Sequence, residues 1–225
     1  MADPLDVRSL TVGVLGGTGD QGHGLAYRFH AAGLAVLIGS RDEGRAIRAA
    51  DEVNRKLGGG SCAGQPNADV ARQADLVVVA VPYGGHADTL RGLTDELAGK
   101  IVIDCVNPIG FDERGAYVLQ VPEGSAAEQA AATLPDSRVV GAFHHVSAVL
   151  LADPRVSTVD LDVLVLGDDR EATDAVQELA AVIPGMRGVY AGRLRNAGQV
   201  EALTANLIAI NRRYKAHAGI RITDV

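Results

Sequence analysis

The sequence predicts an α/β fold, in which a doubly wound parallel sheet is followed by a small C-terminal α+β annex. Short apolar runs without alternation, above all 76–81, are typical of strands that are covered on both faces. These runs alternate with segments of helical periodicity, which is the order of βαβ units with right-handed crossovers. The sequence pattern changes after residue 147. We therefore divide the chain into two domains, residues 8–147 and residues 148–225.

The first part of the chain follows this order closely. Residues 1–9 are polar and predict a frayed arm. Gly33 ends the first predicted helix, and the glycines at 58–60 end the second, for which Asp42 is the predicted N-cap. The predicted elements are a strand at 10–15, a helix at 21–32, a strand at 34–38, a helix at 43–57, a weak strand at 61–64, a helix at 67–73 and a strand at 76–81.

The rest of the chain continues the alternation up to a long final helix. Its apolar residues recur at intervals of three and four, which predicts one buried stripe at Val200, Leu203, Leu207, Ile210 and Tyr214. We assign this stripe to the core or to the interface of a homodimer. The elements are a helix at 85–96, a strand at 101–104, a helix at 125–133, strands at 138–143 and 162–166, a helix at 170–183, a strand at 188–191 and a helix at 194–217.

A glycine pattern directly follows the first strand and opens the first helix. Gly17 permits a tight turn, Gly19 lets the backbone approach a pyrophosphate, and Gly22 lets the helix pack closely on the strand. The alternative is a glycine-rich turn that binds no ligand. The position of the pattern between a strand and a helix argues against it, because a dinucleotide site requires this context. The sequence therefore predicts a Rossmann-type dinucleotide site, with the phosphates at the helix N-terminus, and the pattern reads Gly17, Thr18, Gly19, Asp20, Gln21 and Gly22.

The end of the second strand indicates which dinucleotide binds. An NAD site usually places an acidic residue there for the ribose 2′-hydroxyl, whereas this chain has Ser40 and Arg41. A hydroxyl and a guanidinium bind a 2′-phosphate, and Arg45 lies one helical turn further on. The acidic residues at 42–43 weaken this basic field, and a solvated charged turn is the alternative. We predict NADP(H).

The nicotinamide is expected where the strand order of the sheet reverses, at the carboxyl ends of the strands. The loops that meet there contain Thr18, Val81 with Pro82, and Asn107 with Pro108. Either proline could equally serve only to end a strand. His86 is left unassigned.

Composition excludes several classes of partner. A formal net charge of −7 argues against nucleic acid and against an anionic membrane surface. Cys62 and Cys105 show no metal-ligand spacing and are expected to be free thiols. The start of the chain lacks the apolar segment of a signal peptide, and no apolar run is long enough to span a bilayer, which predicts a soluble cytoplasmic protein without a bound metal.

Several segments together resemble the F420-dependent NADP reductases, in particular the actinobacterial members. They are 15–22 with Ser40 and Arg41, the Val81-Pro82 ending, and segments 141–146, 200–204 and 211–221. The resemblance extends from about residue 10 to the end. The glycine loop is shared with many dehydrogenases, whereas its combination with the two later segments is more specific.

The resemblance implies reversible hydride transfer between NADP(H) and the deazaflavin coenzyme F420. The deazaflavin would lie over the nicotinamide, in a cleft that the C-terminal part covers. His144, Val146, Ala148 and Thr204 match positions that line this cleft in the family. The chain departs from the archaeal members at Gly198, where they have an arginine, and Arg195 lies close enough to reach the same region.

Residue chemistry alone leaves the catalytic residues and the acceptor open. His144 follows a strand, where a histidine is either a hydrogen-bonded structural residue or a ligand contact, and the same applies to His145. With Thr204, His144 is a candidate for contact with the deazaflavin. The same scaffold also suits an NADP-dependent reductase of an imine, a carbonyl or a metal chelate, or a non-catalytic module that senses NADP(H).

Overall fold

The computed structural model describes residues 6–225 of the chain. Its strands are β1 (Thr11–Leu15), β2 (Ala35–Ser40), β3 (Ala63–Pro66), β4 (Leu76–Val79), β5 (Ile101–Asp104), β6 (Ile109–Asp112), β7 (Gly115–Val118), β8 (Arg138–Gly141), β9 (Leu161–Gly167) and β10 (Met186–Gly192). Its α-helices are α1 (Asp20–Ala31), α2 (Glu43–Lys56), α3 (Asn67–Gln73), α4 (His86–Arg91), α5 (Thr94–Leu97), α6 (Ala126–Thr133), α7 (Ala148–Ala152), α8 (Arg170–Ala181) and α9 (Ala197–Tyr214).

Eight of the strands form one sheet in the order β3-β2-β1-β4-β5-β8-β9-β10. All neighbours are parallel except β8 and β9. The chain leaves β1 toward β2 and β3, and then crosses to β4 on the other side, so the strand order reverses at β1. This topology confirms the predicted doubly wound α/β fold and places the switch point beside the glycine loop.

Two apolar layers cover the faces of the sheet. One contains residues of α1, α2 and α8, where Phe29 meets Phe143 edge to face with ring centroids 5.9 Å apart. The other contains residues of α3, α4, α5 and α6, including Val70 and Leu90. The strands between these layers are buried on both faces, which explains their apolar runs without alternation. Cys62 and Cys105 are buried free thiols.

Several element predictions need correction. The helix expected at 85–96 is two short helices, α4 and α5, which Gly92 and Leu93 separate. The hairpin of β6 and β7 was not predicted, and neither was α7. The strand expected at 61–64 begins two residues later, as β3. The arm expected at 1–9 lies partly outside the described residues, and Val7–Ser9 forms a 3-10 helix with Val7 buried.

The final helix is shorter than predicted, since Leu194–Asn196 forms a separate 3-10 helix before α9. Its apolar stripe is only partly buried. Val200 and Leu207 are in the core, but Leu203, Ile210 and Tyr214 are 36%, 40% and 73% exposed. The prediction that all five residues are buried is wrong for the single chain.

The C-terminal part continues the same sheet. Strand β9 pairs antiparallel with β8 through Val140 and Gly167 and through Gly141 and Leu166, and β9-α8-β10 forms a further parallel unit. The sheet thus crosses the boundary between residues 147 and 148, and the division into two domains stays a prediction. Within residues 6–225, no helix is long and apolar enough to cross a membrane.

The short helix α7 is held against α1 by one buried side chain. The guanidinium of Arg28 donates hydrogen bonds to the backbone carbonyls of Leu150, Leu151, Asp153 and Val156, at 2.6, 2.8, 3.0 and 2.7 Å. These carbonyls lie at and beyond the C-terminal end of α7, where helix carbonyls lack partners and a cation is favoured. We refer to this arrangement as the Arg28 clamp.

Candidate dinucleotide and acceptor site

Three glycines of the loop after β1 have different structural roles. A Cβ at Gly22 would lie 2.8 Å from the carbonyl oxygen of Gly16, and a Cβ at Gly17 would lie 3.0 Å from that of Val14. Atoms of the protein therefore already occupy the space that a side chain at Gly17 or Gly22 would need. A Cβ at Gly19 would meet only the Gly16 oxygen, at 3.5 Å. The space above Gly19 is open, as the predicted approach of a pyrophosphate requires.

The loop leads into the N-terminus of α1, which has no side-chain cap. The N–H groups of Asp20, Gln21 and Gly22 have no partner within the helix, and together with the helix dipole they favour an anion. The Gln21 side chain donates to the carbonyl of Phe143 at 3.2 Å and so links the loop to the end of β8.

The end of β2 presents cations beside this loop. Arg41 and Arg45 are exposed, and within residues 6–225 no ion pair engages either guanidinium. The neighbouring Asp42 carboxylate accepts from the backbone N–H of Arg45 at 2.9 Å and caps α2, as predicted. The hydroxyl of Ser40, a buried residue, accepts from the Asp42 N–H at 3.2 Å. Asp42 also lines the cleft beside the two arginines, so its carboxylate partly offsets their positive charge, as the sequence suggests.

These elements enclose a cleft of about 760 Å³ at the carboxyl ends of β1, β2 and β4. Gly17 and Gly22 lie behind its wall, and Asn107 and Pro108 are not part of its lining. The predicted cofactor residues that line it are Thr18, Gly19, Asp20, Gln21, Ser40, Arg41, Arg45, Val81 and Pro82.

Three of the residues predicted around the nicotinamide and the acceptor meet in one hydrogen-bonded cluster. The Asn107 amide donates to the His144 carbonyl at 2.8 Å. The Thr204 hydroxyl lies 3.2 Å from the same carbonyl and 3.3 Å from the Asn107 amide oxygen, and its single proton serves one of them at a time. The cluster joins the loop after β5, the loop after β8 and helix α9.

The histidine rings themselves are buried. His144 is 3% exposed, and neither of its ring nitrogens has a hydrogen-bond partner within residues 6–225. Burial lowers the pKa of His144 and of His145 to about 4 in each case, so both are neutral near pH 7. Val146 is buried as well. Contact of these side chains with a deazaflavin stays a prediction.

Comparison with known proteins identifies the family. The family model described as coenzyme F420-dependent NADP oxidoreductase matches residues 11–108. An F420-dependent NADP reductase of Methanothermobacter thermautotrophicus is 41% identical, and the alignment covers 98% of each chain. The chain belongs to the family of F420-dependent NADP reductases. The family suggested by the glycine loop and the later segments is thus confirmed.

Two further relatives define how far the similarity extends. A crystal structure from Arthrobacter sp. FB24, provisionally described as an F420-dependent NADP reductase, superimposes with a TM-score of 0.80 at 26% identity, covering 96% of this chain and 100% of that one. Metalloreductase STEAP3 of Rattus norvegicus is 33% identical over 88% of this chain, but the match covers only 37% of that protein.

The departure from the archaeal pattern at Gly198 has a local explanation. A Cβ at Gly198 would lie 3.0 Å from the carbonyl oxygen of Gly124, so this side of α9 packs closely on the segment before α6. Arg195, in the 3-10 helix before α9, is exposed. A role of Arg195 in place of the missing arginine stays a prediction.

The sequence interpretation missed Asn67, at the N-terminus of α3. Asn67 is 9% exposed and lines the 760 Å³ cleft, and its Oδ1 has no partner within residues 6–225. The available signal was its position at the carboxyl end of β3, since ligands of open α/β sheets lie at that edge.

The sequence interpretation also missed a buried group of ionisable side chains beneath the loops after β4 and β5. The ring of His86, which had been left unassigned, lies 2.6 Å from the Asp104 carboxylate and 3.0 Å from the Gln129 amide oxygen. Burial opposes the charge of His86, but Asp104 and Gln129 outweigh it and raise its pKa. Nearby, burial raises the pKa of Glu201 to about 7, although the carboxylate accepts the N–H groups of Ala126 and Ala127.

Proposed function

We propose that this chain catalyses reversible hydride transfer between NADP(H) and the deazaflavin coenzyme F420. The observation that carries the proposal is the 760 Å³ cleft, which joins an open glycine position to two arginines without ion pairs among the described residues. Family membership over nearly the full chain supports F420 as the second cofactor.

Each part of the cleft suits one part of the dinucleotide. The α1 N-terminus and the open face of Gly19 would hold the pyrophosphate, while Ser40, Arg41 and Arg45 would hold the 2′-phosphate. The two cofactors supply the hydride chemistry. The protein has to align donor and acceptor carbons at about 3–3.5 Å and to exclude water.

The central experiment follows the visible band of oxidised F420 during incubation with NADPH. We expect bleaching with NADPH and much slower bleaching with NADH. Arg41→Ala should weaken NADPH binding by about tenfold or more, because a charge-assisted hydrogen bond contributes about 1.5–3 kcal/mol, and should leave NADH nearly unaffected. Arg55→Ala, an exposed change further along α2 and outside the cleft, is the control. An equal loss for both cofactors in Arg41→Ala would contradict the NADP assignment.

A second candidate function is reduction of a metal chelate by NADPH. The similarity to a metalloreductase over most of this chain is the observation that favours it. The two functions differ in a direct assay: a metal-chelate reductase would reduce a ferric chelate with NADPH and leave F420 unbleached. A non-catalytic NADP(H) sensor would bind NADPH and do neither.

We place the acceptor beside the Asn107–His144–Thr204 cluster, where the carboxyl ends of β5 and β8 meet α9. Thr204→Val keeps the shape of the side chain and removes its hydroxyl. The variant loses the hydrogen bond by which Thr204 holds the His144 carbonyl or the Asn107 amide, which contributes about 0.5–1.5 kcal/mol, so we expect a few-fold loss of acceptor affinity or turnover with unchanged NADPH binding. Weakened NADPH binding with unchanged acceptor kinetics would place Thr204 in the other half of the site.

We further propose a homodimer in which α9 lies at or near the interface. Leu203, Ile210 and Tyr214 are exposed on this helix, and Phe111 and Tyr117 are exposed on the neighbouring hairpin. Apolar groups on adjacent elements are typical of a surface that a partner covers. We expect light scattering at micromolar concentration to give twice the chain mass, and Ile210→Asp to give a monomer. A wild-type monomer would refute the proposal.

A further inference from the structure

A buried ion pair lies beneath the loop that follows β4. His86 begins α4, directly after Gly85, which lines the dinucleotide cleft. The His86 ring does not line the cleft, and its Nε2 lies 2.6 Å from Oδ2 of Asp104, the last residue of β5. Both side chains are completely buried. The pair therefore ties the loop after β4 to the end of β5 from inside the protein.

The surroundings of the His86 ring indicate that both of its nitrogens carry a proton. Nδ1 lies 3.0 Å from Oε1 of Gln129 on α6, while Nε2 faces Asp104. Gln129 is held in this orientation because its Nε2 donates to the Glu123 carboxylate at 3.1 Å. Each ring nitrogen thus faces an acceptor, and only the imidazolium donates to both. Burial opposes this charge, but Asp104 and Gln129 outweigh burial and raise the pKa of His86.

The Asp104 carboxylate also holds the loop after β5. Its second oxygen, Oδ1, accepts from the backbone N–H of Val106 at 3.0 Å. Asn107 follows directly, and its amide donates to the His144 carbonyl on the acceptor side. One carboxylate therefore connects the loop after β4 with the loop after β5, and these are the two loops that the sequence predicts around the nicotinamide.

The second partner of His86 is anchored to the final helix. Gln129 belongs to α6, whose first two N–H groups donate to the Glu201 carboxylate of α9 at 2.9 and 3.1 Å. Glu201 is buried, and Thr204 of the acceptor cluster lies one helical turn further along α9. The network around His86 thus extends from the loop after β4 to the helix that carries Thr204.

We propose that His86 and Asp104 are positioning residues for hydride transfer, which fix the loops after β4 and β5 at the nicotinamide. This inference rests on the proposed function. A buried ion pair is a poor source of stability, because the loss of hydration of both charges offsets their attraction. It does impose one geometry on the groups that it joins. Hydride transfer needs such a geometry, since a displacement of about 1 Å at the reacting atoms slows a reaction by about 100-fold.

The test measures a single turnover of enzyme-bound NADPH at saturating F420, with bleaching of F420 followed by stopped flow. Asp104→Ala removes the bonds to His86 and to Val106, so we expect the rate constant of hydride transfer to fall by about tenfold or more. NADPH affinity should change by less than about threefold, because the predicted phosphate-binding residues lie elsewhere in the cleft. A purely structural role would lower the free energy of unfolding and leave this rate constant unchanged.

Asp104→Asn should recover most of the rate. Its Oδ1 still accepts the N–H of Val106, and its Nδ2 donates to Nε2 of a neutral His86 ring, whose Nδ1 still donates to Gln129. A rate constant as low as that of Asp104→Ala would contradict a positioning role for these bonds.

Asn54→Ala is the matched control for lost stability. The Asn54 side chain also makes two hydrogen bonds, with the carbonyl and the N–H of Cys62, and it lies on α2 outside the cleft. This variant should unfold at a lower urea concentration and transfer hydride at the rate of the wild type. If Asp104→Ala does not fold, His86→Gln takes its place. It keeps a donor toward Asp104 but loses the bond to Gln129, and its rate constant should fall by about threefold or more.

The outcomes separate the positioning role from the proposed function. An unchanged rate constant in Asp104→Ala, or in His86→Gln where that variant takes its place, would overturn the positioning role and leave the proposed function intact. An equal fall in Asn54→Ala would do the same. A wild type that bleaches no F420 with NADPH would overturn the proposed function, and the positioning role with it.

Discussion

Gly19→Val should abolish dinucleotide binding in a protein that remains folded. The backbone at Gly19 is extended, with φ −87° and ψ 162°, and the nearest atom to an added Cβ is 3.5 Å away. The side chain would occupy the space that the pyrophosphate needs. We expect NADPH affinity to fall by at least about 100-fold, or about 2.8 kcal/mol. Since valine is a poorer N-cap than glycine, the free energy of unfolding should fall by no more than about 1 kcal/mol.

Gly22→Val is the matched control. It alters the same motif, but it should destabilise the fold, whereas Gly19→Val should leave the fold nearly unchanged. A Cβ at Gly22 would lie 2.8 Å from the Gly16 oxygen and 2.9 Å from the Gly17 Cα. Overpacking of this kind typically costs about 1–3 kcal/mol, so the unfolding midpoint of this variant should fall. Isothermal calorimetry with NADPH and urea unfolding separate the two effects. Normal NADPH affinity in Gly19→Val would show that the phosphates bind elsewhere.

Arg28→Ala should destabilise the protein and weaken the deazaflavin side of the site. The change removes all four bonds of the Arg28 clamp and leaves the carbonyls after α7 without these donors. Loss of a buried network of this kind is expected to lower the free energy of unfolding by about 3 kcal/mol or more. Because α7 contains Ala148, one of the predicted deazaflavin contacts, and no residue of α7 lines the dinucleotide cleft, the KM for F420 should rise while that for NADPH stays nearly constant.

Arg155→Ala provides the control on the same segment. Arg155 pairs with Asp153 at 2.8 Å, but its side chain is 88% exposed, so water screens the pair and its loss should change the free energy of unfolding little. If Arg28→Ala fails to fold, Arg28→Lys keeps the charge but not the planar fork of donors, and it should show the same change in KM on a smaller scale. An unchanged KM for F420 in both Arg28 variants would show that α7 does not position the acceptor.

Local sequence was sufficient for the Rossmann core. Glycines, N-caps and buried strands act within a few residues, so the loop at 17–22, the Asp42 cap and the order of the first strands could be predicted. The helix at 85–96 was predicted as continuous, whereas in the structure Gly92 and Leu93 break it. The low helix propensity of Gly92 was the available signal for this break.

The parts that were missed depend on contacts between distant residues. Helix α7 has five residues and no side-chain cap of its own, and its fixed position comes from Arg28, more than 120 residues earlier. The cluster of Asn107, His144 and Thr204 likewise joins residues from three separate segments. The family resemblance named two of them as acceptor contacts, but it did not predict that they bond to each other.

The antiparallel join between β8 and β9 has a consequence for how the cofactors enter and leave. Strand β8 belongs to the part before residue 147 and β9 to the part after it, and Val140 and Val163 lie in one apolar core with Phe143. A hinge rotation of one half against the other would have to break strand pairs and open that core to water, at a high energetic cost. We therefore expect the cofactors to exchange through local movements of loops and side chains, without closure of one lobe upon another.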